Sequence, residues 1–110
     1  MAKLERTLTG DFGQVLNRLH DGIMNGSMTA SYEDGSEFTL NGTRCAVRVY
    51  ERYSAFGGNR VALSMTLLGN GNQLRLTAIT AGGSQAMFFK FNTVGEEAFL
   101  DTLAKVLDKM

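Results

Sequence analysis

One cysteine, one histidine and no long apolar run set the first limits on this chain of 110 residues. A single thiol, Cys45, has no internal disulfide partner, which fits a reducing compartment. With His20 as the only histidine beside it, the usual ligand sets of a zinc site cannot be assembled, so neither metal nor cofactor is expected. No stretch nears the ~18 uninterrupted apolar residues of a membrane-spanning helix. The opening Met1–Thr7 has no apolar run behind its first charges, so no secretory leader is expected and the expected location is cytoplasmic. The glycine-bearing stretches Gly57–Arg60, Gly69–Asn72 and Gly82–Ser84 lack the Gly-Lys-Ser/Thr ending of a phosphate loop, and read as hairpin turns.

An excess of one charge is also missing. Eleven Lys and Arg balance eleven Asp and Glu, and the sequence pI is about 6.6, whereas nucleic-acid-binding domains usually lie above about 9. The balance is uneven along the chain. From Phe38 to Gly95 six bases stand against the single acid Glu51, a local charge of +5, so the flanking segments carry −5. Hydrophobic content of 44% with 20% charged residues is ordinary globular composition, and the length suits one domain over residues 1–110.

What is present is a run of alternating segments between two helical ones. Lys3–Thr9 alternates around Leu4 and Leu8 and reads as an edge strand, with Arg6 on the leucine side. Asp11 followed by Gln14 is an N-cap pair, and Phe12, Val15, Leu16, Leu19 and Ile23 form one helical stripe that Gly26 would stop in a left-handed conformation. Met28–Glu33 and Glu37–Leu40 alternate around Asp34-Gly35, a hairpin dipeptide, and Asn41-Gly42 repeats that turn chemistry. Four more strands are expected at Arg44–Tyr53, Arg60–Leu68, Leu74–Ala81 and Ala86–Phe91. Thr93 with Glu96 then reads as the capping box of a final helix with the stripe Phe99, Leu100, Leu103, Val106, Leu107 and Met110.

Alternation assigns two sheet faces. Cys45, Val47, Val49 and Tyr53, then Val61, Leu63, Met65 and Leu67, then Leu74, Leu76 and Ala78, then Met87, Phe89 and Phe91 are expected on an apolar face beneath both helices. Arg44, Arg48, Tyr50, Arg52, Arg75, Phe88 and Lys90 are expected on a polar, basic one. The fold class is α+β: a curved antiparallel sheet of six to seven strands with an N-terminal and a C-terminal helix packed on one face.

In the order strand, helix, antiparallel strands, long C-terminal helix, the chain resembles the helix-grip fold of the birch-pollen-allergen and START-like superfamily, which implies a sheet wrapped around the last helix and an apolar ligand cavity. The phrases Arg44–Ser54, Gly57–Arg60 and Gly82–Ala86 are similar to a family of small bacterial proteins without assigned function, which implies no activity.

Three functional readings follow. The first is a non-enzymatic module that accepts a small hydrophobic ligand between sheet and C-terminal helix, at Tyr53, Met65, Leu76, Phe89, Phe99 and Leu103, with Glu51 as the polar contact; the same residues serve equally as plain core. Glu51 shares the side of the valines, so it either reaches the rim and pairs with Arg60 or forms the floor of that pocket. The second is a homodimer associating through the polar sheet face, where Phe88 and Ile79 stand open among polar residues. The third is nucleic-acid or anion binding by the face carrying Arg44, Arg48, Tyr50, Arg52, Arg60, Arg75 and Lys90. His20, beside the stripe of the first helix, reads as a half-buried imidazole that satisfies a hydrogen bond. No nucleophile, base and orienting group fall together by spacing, so catalysis is not expected.

Overall fold

The structure, a computed structural model, describes residues 1–53, 60–82 and 89–110, with backbone alone for 89–95. Its elements are β1 (Ala2–Thr9), α1 (Phe12–Asn25), β2 (Ser31–Leu40), β3 (Thr43–Tyr53), β4 (Arg60–Asn70), β5 (Gln73–Gly82) and α2 (Phe89–Asp108). Among the described residues five strands, against the six to seven expected, form one open antiparallel sheet in the order β1-β5-β4-β3-β2. The α+β class and the first strand as an edge are as the sequence predicts.

Local signals explain what forms where. Asp11 keeps extended backbone before α1 and its carboxylate accepts the Gln14 N–H at 3.0 Å, filling one of the open donors of the first turn. Asn41 and Gly42 both adopt positive φ, 52° and 80°, which the tight hairpin between β2 and β3 requires. Gly26 is a correction. Its φ is −79°, so it is no left-handed stop; a Cβ there would overlap Thr102 Cγ2 of α2. The glycine permits close helix packing.

Two expected strand boundaries are also overturned. Asp34-Gly35 makes no hairpin, because β2 runs unbroken from Ser31 to Leu40 along β3, with a bulge between Tyr32 and Asp34 absorbing the local irregularity. Gly35 is needed there because the Tyr32 hydroxyl and the Val47 carbonyl oxygen crowd the space a Cβ would take. The expected last strand, Ala86–Phe91, falls partly outside the described residues, but Phe89–Phe91 open α2. Thr93 and Glu96 therefore lie inside that helix and form no capping box. Glu96 is buried instead, with its carboxylate 2.9 Å from the Met1 ammonium.

The largest correction is the phase of β3. Pairing matches Ala46 with Leu67, Arg48 with Met65, Tyr50 with Leu63 and Arg52 with Val61, so the even-numbered residues of β3 face the helices. Cys45, Val47, Val49, Glu51 and Tyr53 face the opposite side, beside Leu68, Thr66, Ser64, Ala62 and Arg60. Slipping a strand by one residue exchanges its faces, and the six residues between β3 and β4 carry no local signal that sets the slip. Arginine stems and a large tyrosine thereby occupy positions on the helix side. Arg44 lies over the Phe12 ring at 4.3 Å and Arg52 over Phe99 at 4.8 Å, so each guanidinium stacks on an aromatic while its stem covers apolar surface.

The core lies between the sheet and the two helices. Phe12, Leu16, Leu19 and Ile23 of α1 and Phe99, Leu100, Leu103 and Leu107 of α2 pack with Ala46, Tyr50, Val61, Leu63, Met65, Leu67, Leu74, Leu76 and Ala78. The stripes of both helices are as the sequence predicts, except that Met110 stays exposed. Thr80 is the buried polar exception on β5: its hydroxyl lies 3.2 Å from the Glu96 carbonyl and 3.5 Å from that of Ala2, joining β1, β5 and α2. Replacing it with the isosteric valine removes this link and is expected to cost about 1 kcal/mol. Urea denaturation of Thr80→Val checks this, and an unshifted midpoint would show the hydroxyl to be idle.

Candidate interaction surface

The residues expected to form a ligand pocket do not come together. Met65, Leu76, Phe99 and Leu103 are fully buried and packed in the core. Glu51 and Tyr53 lie on the other face of the sheet because of the β3 phase, and Phe89 opens α2. Glu51 is half-buried and pairs with Arg60 at 3.0 Å, the rim pairing anticipated for it; Arg60 also donates to the Tyr53 hydroxyl at 3.3 Å. These side chains, with Thr29 and Ser31, line a cleft of only about 30 Å³, the room of one or two waters.

The expected basic face is likewise divided. Arg44, Arg48, Tyr50 and Arg52 lie on the helix side, Arg60 and Arg75 on the outer side, and Lys90 in α2. Most of these cations are already engaged: Arg48 with Glu37 at 3.8 Å and over the Tyr32 ring at 5.9 Å, Arg75 with Glu5 at 3.1 Å. A common phosphate-binding surface does not arise from them.

Beside Arg48 sits a polar and aromatic cluster. His20 Nδ1 lies 2.8 Å from the Tyr50 hydroxyl, and the rings of His20, Tyr32 and Tyr50 stand 5.4–5.7 Å apart, centroid to centroid. This is the satisfied, half-buried imidazole that its place on α1 predicts. Burial pushes the Tyr50 hydroxyl above its ordinary pKa, against a hydrogen bond and charge from Arg48 that pull it down. Tyr50 is fully buried, so its hydroxyl is out of reach of a substrate and ties α1 to β3. Among the described residues no group of three His, Cys, Asp or Glu could hold a metal ion, and no helix is long and apolar enough to cross a membrane.

What the structure leaves open is the outer face of the sheet. Both helices pack on the inner face, and the register brings Phe38 and Leu40 of β2, Cys45, Val47 and Val49 of β3, Leu68 of β4 and Ile79 of β5 onto the other. Phe38, Leu40, Leu68 and Ile79 are 39–68% exposed. Serines and threonines fill the spaces between them, and charged pairs stand at the two margins, Glu5 with Arg75 and Glu51 with Arg60. The β2 bulge creates part of this patch, since it sends Tyr32 to the inner face and Phe38 to the outer. Sequence reasoning placed Ile79 on this face but not Phe38, Leu40 or the valines of β3, whose side is set by the bulge and by pairing distant along the chain; Phe88, also expected here, lies outside the described residues.

Comparison with curated proteins finds no match. The whole chain, residues 1–110, matches the model of a family of unknown function (DUF6054), and the protein belongs to that family.

Proposed function

We propose that the protein is a non-enzymatic interaction module that pairs with a second copy of itself through the outer face of its sheet. The observation that carries this reading is the coexistence of a complete core on one face with four large apolar side chains standing in solvent on the other. An exposed apolar patch rimmed by polar residues is the usual mark of an association surface.

Size and charge favour a copy of the same chain as the occupant. Five strands about 4.8 Å apart, each presenting about eight residues at about 3.3 Å, offer roughly 600 Å² per copy and roughly 1,200 Å² for a pair. That reaches the lower limit of a specific interface. A formal net charge of zero leaves no long-range repulsion between copies. Joining copies along the β2 edge is disfavoured instead: that strand carries Glu33, Asp34 and Glu37 and no base, so two such edges brought side by side repel.

Sedimentation equilibrium at high micromolar concentration is expected to find a dimer, and Phe38→Glu is expected to be a monomer that melts with the wild type once both are diluted below the dimer dissociation constant, because Phe38 supports nothing in the core. A wild type that stays monomeric would overturn the reading, as would a Phe38→Glu dimer of unchanged affinity.

A further inference from the structure

We infer that the two copies stack with their strands aligned, about a two-fold axis running parallel to the strands over β4, so that β2 of one copy lies over β1 of the other and β3 over β5. This rests on the self-pairing proposed above and specifies which residues meet.

The outer face is lopsided, and its two halves fit each other. Its most protruding apolar side chains, Phe38 and Leu40, belong to β2, in the two rows nearest the Asn41-Gly42 turn. In the same rows lies a hollow of about 310 Å³ over β4 and β5, reaching Thr43 of β3 on one side and Thr7 of β1 on the other, with Leu68, Asn70, Gln73 and Arg75 among its lining. An axis along the strands keeps every row and reverses the strand order. It therefore brings Phe38 and Leu40 down over Thr7 and Thr9, at the β1 side of that hollow. An axis across the strands would lay β2 over β2 and leave the hollow unfilled.

Charge points to the same operation. The register chain Lys3–Ile79, Ile79–Ser64, Ser64–Val49 and Val49–Asp34 places Lys3 and Asp34 in one row at opposite edges. Reversing the strand order sets Lys3 of each copy against Asp34 of the other, twice per dimer, and lays Ile79 over Val49. On the axis itself Leu68 meets its own counterpart. Aligned sheets pack about 10 Å apart at about 30°, and a lysine side chain reaches across that gap. Strand-aligned stacking would thus turn two open sheets into one sandwich, each covering the apolar half of the other.

The test is a charge exchange read by sedimentation equilibrium at low salt. Lys3→Asp and Asp34→Lys are each expected to raise the dimer dissociation constant about tenfold, since two attractive pairs become two repulsive ones. The Lys3→Asp/Asp34→Lys double variant should recover wild-type affinity. A wild-type dimer that ignores both single exchanges, or a double variant as weak as the singles, overturns this arrangement while the dimer itself stands. A monomeric wild type removes both.

Discussion

Tyr50→Ala is expected to lose about 3–5 kcal/mol of folding stability, whereas Val49→Ala, one residue away, should lose less than about 1.5 kcal/mol. Tyr50 is among the largest fully buried side chains, set between Leu63 of β4 and the His20 imidazole of α1, so truncation opens a cavity in the core and removes the partner of a buried hydrogen bond. Val49 is half-buried on the face that no helix covers, where in the single copy water and neighbouring side chains fill the vacated space. Against the usual 5–15 kcal/mol of a domain this size, the first substitution leaves a marginal protein and the second an ordinary one. Tyr50→Phe, which keeps the ring and removes the hydroxyl, should cost about 1 kcal/mol. Guanidinium chloride denaturation of the three variants decides the matter. The reverse order, with Val49→Ala the costlier alanine, would mean that the valines rather than the tyrosine face the helices.

The same residue shows where the sequence was legible and where it was not. Signals confined to a few neighbouring residues read correctly: Asp11 with Gln14 starts α1, Asn41-Gly42 makes its turn, Gly71 with φ of 59° makes the next, and the stripes Phe12–Ile23 and Phe99–Leu107 are buried as their spacing requires. The phase of β3 is a different kind of fact. Cys45, Val47 and Val49 give one phase the better apolar score, but which phase meets the core depends on pairing with β4, set by contacts distant along the chain. Arg44, Arg48 and Arg52 look polar as letters, yet their stems and stacked guanidinium groups suit the flank of a helix layer. The candidate pocket failed for the same reason, because Glu51 and Tyr53 moved with the phase. The start of α2 failed for another: a short apolar run such as Phe88-Phe89 fits a buried strand and a helix equally by period. Asp34-Gly35 carried true turn chemistry, but nine residues of pairing with β3 outweighed it.

Gly22→Ala tests the helix layer, and its sign is decisive. Inside an exposed helix this change ordinarily stabilises by up to about 1 kcal/mol, because alanine has less backbone freedom to lose. Here a Cβ at Gly22 would overlap Val106 Cγ2 and come within 3.2 Å of Cγ1, and one turn later a Cβ at Gly26 would overlap Thr102 Cγ2. Gly22 and Gly26 thus form a flat strip of α1 onto which Val106 and Thr102 of α2 fit, and each added methyl must push the helices apart or force a side chain off its rotamer. Overpacking of this kind costs about 1–3 kcal/mol per site, so Gly22→Ala with Gly26→Ala is expected to lose about 2–4 kcal/mol after the gain in helix propensity at Gly22. Adding Val106→Ala to Gly22→Ala should return part of the loss at that site, since the clashing Cγ atoms are gone while the Cβ of residue 106 still stands 3.1 Å away. Thermal or urea unfolding of the single, paired and rescued variants supplies the numbers. A Gly22→Ala protein more stable than wild type would show that α1 and α2 do not approach at this strip, and the packing that places Tyr50 beneath α1 would need to be redrawn with it.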